Sequence, residues 1–156
     1  RVHTADRGGA SVLMIYTGGT LGMTYDAAGQ LRPFDFAQIL ANLPELDRLA
    51  FTLSVIALEP PIDSSNVTPA HWLHWARLVA EHYDSYDGFV FLHGTDTMAY
   101  SASALSFLLD GLAKPVVFTG AQLPIGSIRT DARENLITAL EIASARGADG
   151  HTLVPE

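Results

Sequence analysis

The sequence has no cysteine and a single lysine, Lys114. Without thiols, disulfides and thiolate metal sites are excluded, and the composition fits a reducing compartment, with the cytoplasm as the default. The basic residues form no cluster and the net charge is -8. A nucleic-acid partner, which is held mainly through basic patches, is therefore not expected. No apolar run approaches the roughly 20 residues that span a bilayer, and the first ten residues are polar and glycine-rich without a signal-peptide core, so no membrane partner is expected. The six histidines are scattered with no H-E-x-x-H pattern, and no glycine-rich segment ends in G-K-S or G-K-T. Neither a metal nor a nucleotide cofactor is expected. Internal repeats and low-complexity tracts are also missing.

What is present is one domain's worth of core-forming sequence: 156 residues, 48% hydrophobic and 17% charged. Residues 1–10 read as a loose leader. The unbroken apolar run Val12 to Tyr16 predicts a strand that exits into Thr17, Gly18, Gly19 and Thr20. Asp35 is placed to cap a short helix carrying Phe36, Ile39, Leu40 and Leu43, stopped by Pro44. Phe51 to Leu58 predicts a second strand, ended by Pro60 and Pro61. Thr68 followed by Pro69 opens a helix whose Trp72, Trp75, Ala76, Val79 and Tyr83 form one stripe. Gly88 to Leu92 is a third strand with the exit turn His93 to Thr97, and a helix follows over Ala99 to Leu109. Val116 to Thr119 is a fourth strand. Asp131 with Glu134 suggests a capping box at the head of another helix, and His151 onward a fifth strand. Strands alternating with helices predict an α/β fold, an open, mostly parallel sheet in three layers.

In such a sheet with the flavodoxin-like order 2-1-3-4-5, ligands bind beyond the carboxyl ends of the first and third strands, where the order reverses. The turns T-G-G-T and H-G-T-D-T then face one crevice. Gly18 and Gly19 leave backbone N–H groups free to act as donors, Thr20 presents a hydroxyl able to attack a carbonyl carbon, and Thr95 with Asp96 adds a second hydroxyl and an acceptor. Taken singly, each piece also has an ordinary reading. T-G-G-T is common turn chemistry, Asp96 a helix cap, His93 a hydrogen-bonded structural histidine, and Asp63 to Ser65 a polar loop.

Four segments in order, YTGGTLGM, DSSNVTP, YDGFVFLHGTDTMAYSASALSFLL and VVFTGAQLPIGSIRTDARENL, together resemble the L-asparaginase family, specifically its bacterial cytoplasmic type I branch. The resemblance implies a two-domain subunit in a homodimer or homotetramer, with residues 11–156 as its N-terminal catalytic domain, cut short before the C-terminal domain. It implies hydrolysis of the side-chain amide of L-asparagine to aspartate and ammonia through an acyl-enzyme, without cofactor. Thr20 matches the nucleophile, Thr95 the second catalytic threonine, and Asp96 the residue that binds the substrate amino group within a Thr-Lys-Asp triad. Ser64 matches the serine that holds the substrate α-carboxylate, flanked by Asp63 and Ser65, while Gly19 and Ala121 match positions whose backbone lines the pocket. Two departures stand out. The lid tyrosine of the family aligns with Gln30, leaving Tyr25 as the other candidate, and the triad lysine falls past Glu156, since Lys114 does not match it. The alternatives are a glutaminase or tRNA-amidotransferase-like relative, or a non-catalytic amino-acid-binding domain.

Overall fold

The computed structural model describes residues 2–5, 9–25, 28, 30–33, 43, 45–46 and 50–154. In chain order its elements are β1 (Val2–Ala5), β2 (Ala10–Tyr16), β3 (Met23–Tyr25), β4 (Leu31–Pro33), β5 (Phe51–Ala57), α1 (Pro69–His82), β6 (Gly88–Leu92), α2 (Met98–Leu108), β7 (Val116–Thr119) and α3 (Ala132–Ser144). The main sheet has the order β1-β5-β2-β6-β7, and β3 pairs with β4 in a separate hairpin. Strands β5, β2, β6 and β7 are mutually parallel. These four keep the expected order, second-first-third-fourth, so the switch point falls between β2 and β6.

Both faces of the sheet are covered, and the apolar runs follow from that. Alternate residues of the central strands go to opposite sides. Val12, Met14, Val90 and Leu92 pack with Ala132, Leu136, Ala139, Leu140 and Ala143 of α3. Leu13, Ile15, Phe89 and Phe91 pack with Trp75 and Val79 of α1 and Leu105 of α2. Helix α1 begins at Pro69, as the Thr68-Pro69 signal predicts, and the Thr68 backbone N–H donates to Nδ1 of His71 at 3.0 Å.

The structure departs from the sequence reading in three places. The segment read as a loose leader contains β1, which pairs antiparallel with β5, Val2 opposite Ile56 through Ala5 opposite Leu53. The free edge of β5 is a hydrogen-bonding template, and composition does not reveal that kind of pairing. No fifth strand forms in the described residues from His151. There the Gly147 N–H donates to the His151 carbonyl at 2.8 Å, and the chain folds back into one isolated bridge between Arg146 and Thr152. Asp131 does not cap its own helix: its φ of -77° and ψ of -17° are helical, and no side-chain cap bond forms. The Thr130 hydroxyl takes the Ala132 N–H instead, at 3.0 Å. The helix read from Asp35 lies outside the described residues, apart from Leu43, which is fully buried.

The two tryptophans of α1 differ in one respect that stability can report. The Trp72 indole N–H donates to the Ser101 hydroxyl at 3.0 Å, whereas the N–H of fully buried Trp75 has no partner among the described residues. Trp75→Ala is expected to cost about 3–5 kcal/mol by opening a cavity between α1 and β6. Trp75→Phe, which discards an unpaired N–H along with part of the ring, is expected to cost about 1–2 kcal/mol or less. Equilibrium denaturation of the two variants checks the difference.

Candidate active site

The exits of β2, β5, β6 and β7 are tied to one another beyond the carboxyl edge of the sheet. Thr17, the first residue past β2, gives both its backbone N–H and its hydroxyl to the Leu92 carbonyl at the end of β6, at 3.0 and 2.9 Å. Its own carbonyl accepts the Ile62 N–H at 2.8 Å. Gly19 has φ of 89°, a left-handed conformation that L side chains rarely adopt, and a Cβ there would lie 2.6 Å from the Gly94 nitrogen. The T-G-G-T and H-G-T-D-T turns thus touch through their backbones. Thr20 follows, half-buried, and opens a short 3-10 turn over Thr20–Gly22.

Ser64 starts another 3-10 turn, Ser64–Asn66, and is 4% exposed. It packs so tightly on the β6 exit that a Cβ on Gly94 would meet its hydroxyl at 2.4 Å. The Thr97 hydroxyl donates to the Ser64 carbonyl at 2.7 Å. From the β7 exit, Ala121 is buried, and the Gln122 side-chain N–H donates to the Thr95 hydroxyl oxygen at 3.0 Å. Asp131 braces this last turn by accepting the backbone N–H groups of Gln122 and Leu123 at 3.0 and 3.3 Å, and these bonds hold its carboxyl below the usual range.

Of the residues singled out from sequence, Gly19, Thr20, Ser64, Thr95 and Ala121 therefore lie on interlocked turns. Asp96 is exposed in the turn before α2. Asp63 and Ser65 face each other: Asp63 accepts the Ser65 backbone N–H at 3.0 Å and its hydroxyl at 2.8 Å, which keeps the Asp63 carboxyl low, and both residues are exposed. Tyr25 and Gln30 belong to the hairpin that follows Thr20. Tyr25 pairs with Leu31 at the turn end of the β3–β4 ladder, and Gln30 immediately precedes β4. Lys114 precedes β7, at the opposite end of the sheet, where its ammonium donates to the Tyr83 carbonyl and lies 4.4 Å from the Tyr83 ring centroid. Sequence reasoning missed Gln122. Applying the strand-exit rule to the fourth strand as well as to the first and third would have found it.

His93 is the structural histidine the sequence suggests. It is 1% exposed, with Trp75 edge-on at 5.3 Å. Nδ1 lies 2.6 Å from the Gly94 carbonyl, which only accepts, so Nδ1 carries the proton. Nε2, 2.9 Å from the Ser101 hydroxyl, accepts from it, and the Ser101 oxygen accepts in turn from the Trp72 indole. Every donor is assigned with the ring neutral.

With this geometry described, comparison with known proteins decides the family. A family model for the N-terminal asparaginase domain matches residues 11–154. The chain belongs to the asparaginase family. It is 46% identical to L-asparaginase 1 of Escherichia coli K12 over 136 residues, which is 86% of this chain and 40% of that protein. Among solved structures, L-asparaginase I of Vibrio cholerae superposes with a TM-score of 0.79 at 40% identity, over 93% of this chain and 44% of that one. A probable cytoplasmic L-asparaginase from Campylobacter jejuni superposes with a TM-score of 0.74 at 29% identity, over 92% and 44%. The chain thus spans less than half the length of these relatives. No helix among the described residues is long and apolar enough to cross a membrane.

Burial lowers the His93 pKa from its ordinary 6.5. The unfolded chain therefore takes up this proton first as the pH falls. The resulting stabilisation is complete above the unfolded value and is lost as the pH drops from it toward the folded value. Denaturation from about pH 7 to about pH 5 is expected to show a steeper loss of stability in the wild type than in His93→Asn, whose amide still reaches the Gly94 carbonyl.

Proposed function

We propose that this domain carries the nucleophile and the substrate-binding turns of an L-asparaginase of the type I branch. The observation that carries the reading is the backbone interlock of Gly19 on Gly94, which joins the turn of Thr20 to the turn of Thr95 at the switch point. In this reading the Thr20 hydroxyl attacks the side-chain amide carbon of L-asparagine. The tetrahedral oxyanion is met by backbone N–H groups of these turns, and each such donor is typically worth about 2.7–4 kcal/mol. Ammonia leaves, and water then cleaves the aspartyl ester on Thr20 to give aspartate and the free hydroxyl. Ser64 and Asp96 hold the α-carboxylate and α-amino groups, with Asp63, Ser65, Gly19 and Ala121 shaping the pocket.

A threonine hydroxyl needs a neighbouring base, and the one lysine here is engaged with Tyr83. We assign the triad lysine to a longer polypeptide that also supplies the C-terminal domain. Among the described residues β7 ends the strand order, and a groove of about 400 Å³ beside it is lined by Leu105, Leu109, Val116 and Phe118. The same reading places the enzyme in the cytoplasm as a homo-oligomer.

Two outcomes are expected. In the full-length enzyme, Thr20→Ala and Thr95→Ala each lower ammonia release from asparagine by about a thousandfold or more, as losses of single members of a catalytic unit do. Rates near wild type in either variant remove that residue from the mechanism. The 156-residue segment alone turns over no asparagine. Robust turnover by the purified segment shows that no further lysine is needed.

A further inference from the structure

We propose that Gln122 is a positioning residue for Thr95, and that Asp131 holds it in place. The proposal rests on the asparaginase reading and names a residue that the reading does not require. The Gln122 carboxamide reaches Thr95 from the β7 exit, its N–H 3.0 Å from the hydroxyl oxygen. Its backbone is fixed independently. Asp131 takes the N–H groups of Gln122 and Leu123, and the Asn135 side chain donates to the Gly120 carbonyl at 2.9 Å. Both anchors come from the head of α3, which the buried Ala132 and Leu136 pack onto the sheet. This also accounts for why Asp131 fails to cap its own helix: its carboxylate is turned toward the β7 exit instead.

The chemistry follows from the direction of the bond. An amide N–H only donates, so Thr95 meets Gln122 with a lone pair and must aim its own proton elsewhere, into the crevice. As that proton passes to the base, negative charge grows on the hydroxyl oxygen, and a donor already aimed at it strengthens. Gln122 therefore lowers the barrier without touching asparagine and acts on kcat rather than on KM.

The test uses the full-length enzyme with two near-isosteric replacements. Gln122→Met removes the donor. Gln122→Glu keeps the shape but offers Thr95 an acceptor, which draws the hydroxyl proton away from the crevice. Both are expected to lower kcat by about tenfold to a hundredfold, the range for a hydrogen bond to a charged group, with KM within about threefold and thermal midpoints near wild type. Wild-type kcat in both variants overturns the proposal. Full activity in Gln122→Glu alone overturns the assigned direction of the bond and with it the mechanism. A parallel loss of kcat, rise in KM and fall in melting temperature in both variants reduces Gln122 to a prop for the turn, which also overturns it. A wild-type enzyme inert on asparagine is a different failure, that of the asparaginase reading. The pairing is then judged by a crystal structure of the unliganded full-length protein, where a Gln122 turned away from Thr95 overturns it.

Discussion

The Leu92 carbonyl receives two bonds from one residue, the backbone N–H and the hydroxyl of Thr17, and the arrangement of the site depends on that junction. A single hydrogen bond contributes only about 1 kcal/mol net. Its importance here is geometric. Strands β2 and β6 are neighbours by pairing, but their exits would diverge into unrelated loops without a tie past the last rung. The tie places Gly19 directly over His93 and Gly94, a proximity at which any side chain on Gly19 would collide with backbone, while Gly18 lies against Ile62. The β5 exit then joins through the Thr17 carbonyl and through Ser64 on Gly94. Three loops far apart in sequence are thereby fixed at main-chain precision, which side-chain contacts between mobile loops would not achieve.

Beneath the turns the molecule avoids charge. His93 is buried and neutral within a chain of donors and acceptors that satisfies each member. Tyr16, at the end of β2, is 6% exposed, and burial pushes its pKa to about 12, so it stays protonated across the working range. The carboxylates near the site, Asp63, Asp96 and Asp131, are exposed above it. This division follows from desolvation: an ion under the sheet's end would lose hydration with nothing to replace it, while an ion on the rim keeps water and takes backbone N–H groups as well. In the proposed function, a cationic substrate amino group would meet the exposed carboxylates above a neutral, close-packed floor.

Much of this was legible in the sequence because it follows from periodicity and punctuation. The apolar runs Val12 to Tyr16 and Gly88 to Leu92 read as doubly covered strands, Thr68-Pro69 as a helix start, and the two hydroxyl-bearing exits as neighbours once the strand order was supposed. The failures share a cause. β1 pairs through backbone groups that every residue has, so no side-chain pattern marks it. Asp131 sits where a cap belongs, but a tertiary demand from the Gln122–Leu123 turn outcompetes the local one. Gln122 stands in a strand exit to which the switch-point rule was not extended, and which hydroxyl its carboxamide meets shows only in the fold. Local signals were readable, whereas long-range polar pairings were not.

The same asymmetry bears on the activation of Thr95 that the proposed function calls for. The carboxyl end of the sheet supplies hydroxyls, N–H donors and carboxylates, but the one lysine of the chain is committed to Tyr83 at the other end, at the start of β7. A four-residue strand spans about 13 Å, so no rotamer of Lys114 brings its ammonium from that end to Thr95 while the Tyr83 contacts persist. In the proposed function the base therefore approaches from outside this sheet end. The direction is restricted further, because the Gln122 amide takes up one lone pair of the Thr95 oxygen and the Thr95 backbone is held in the turn between Gly94 and α2. In the proposed reading, what remains open to the Thr95 proton is the side of the turn that faces the substrate. If a base serves Thr95 as proposed, it stands where it also faces the substrate, and the bond from Gln122, already made in this domain, orients the hydroxyl toward it.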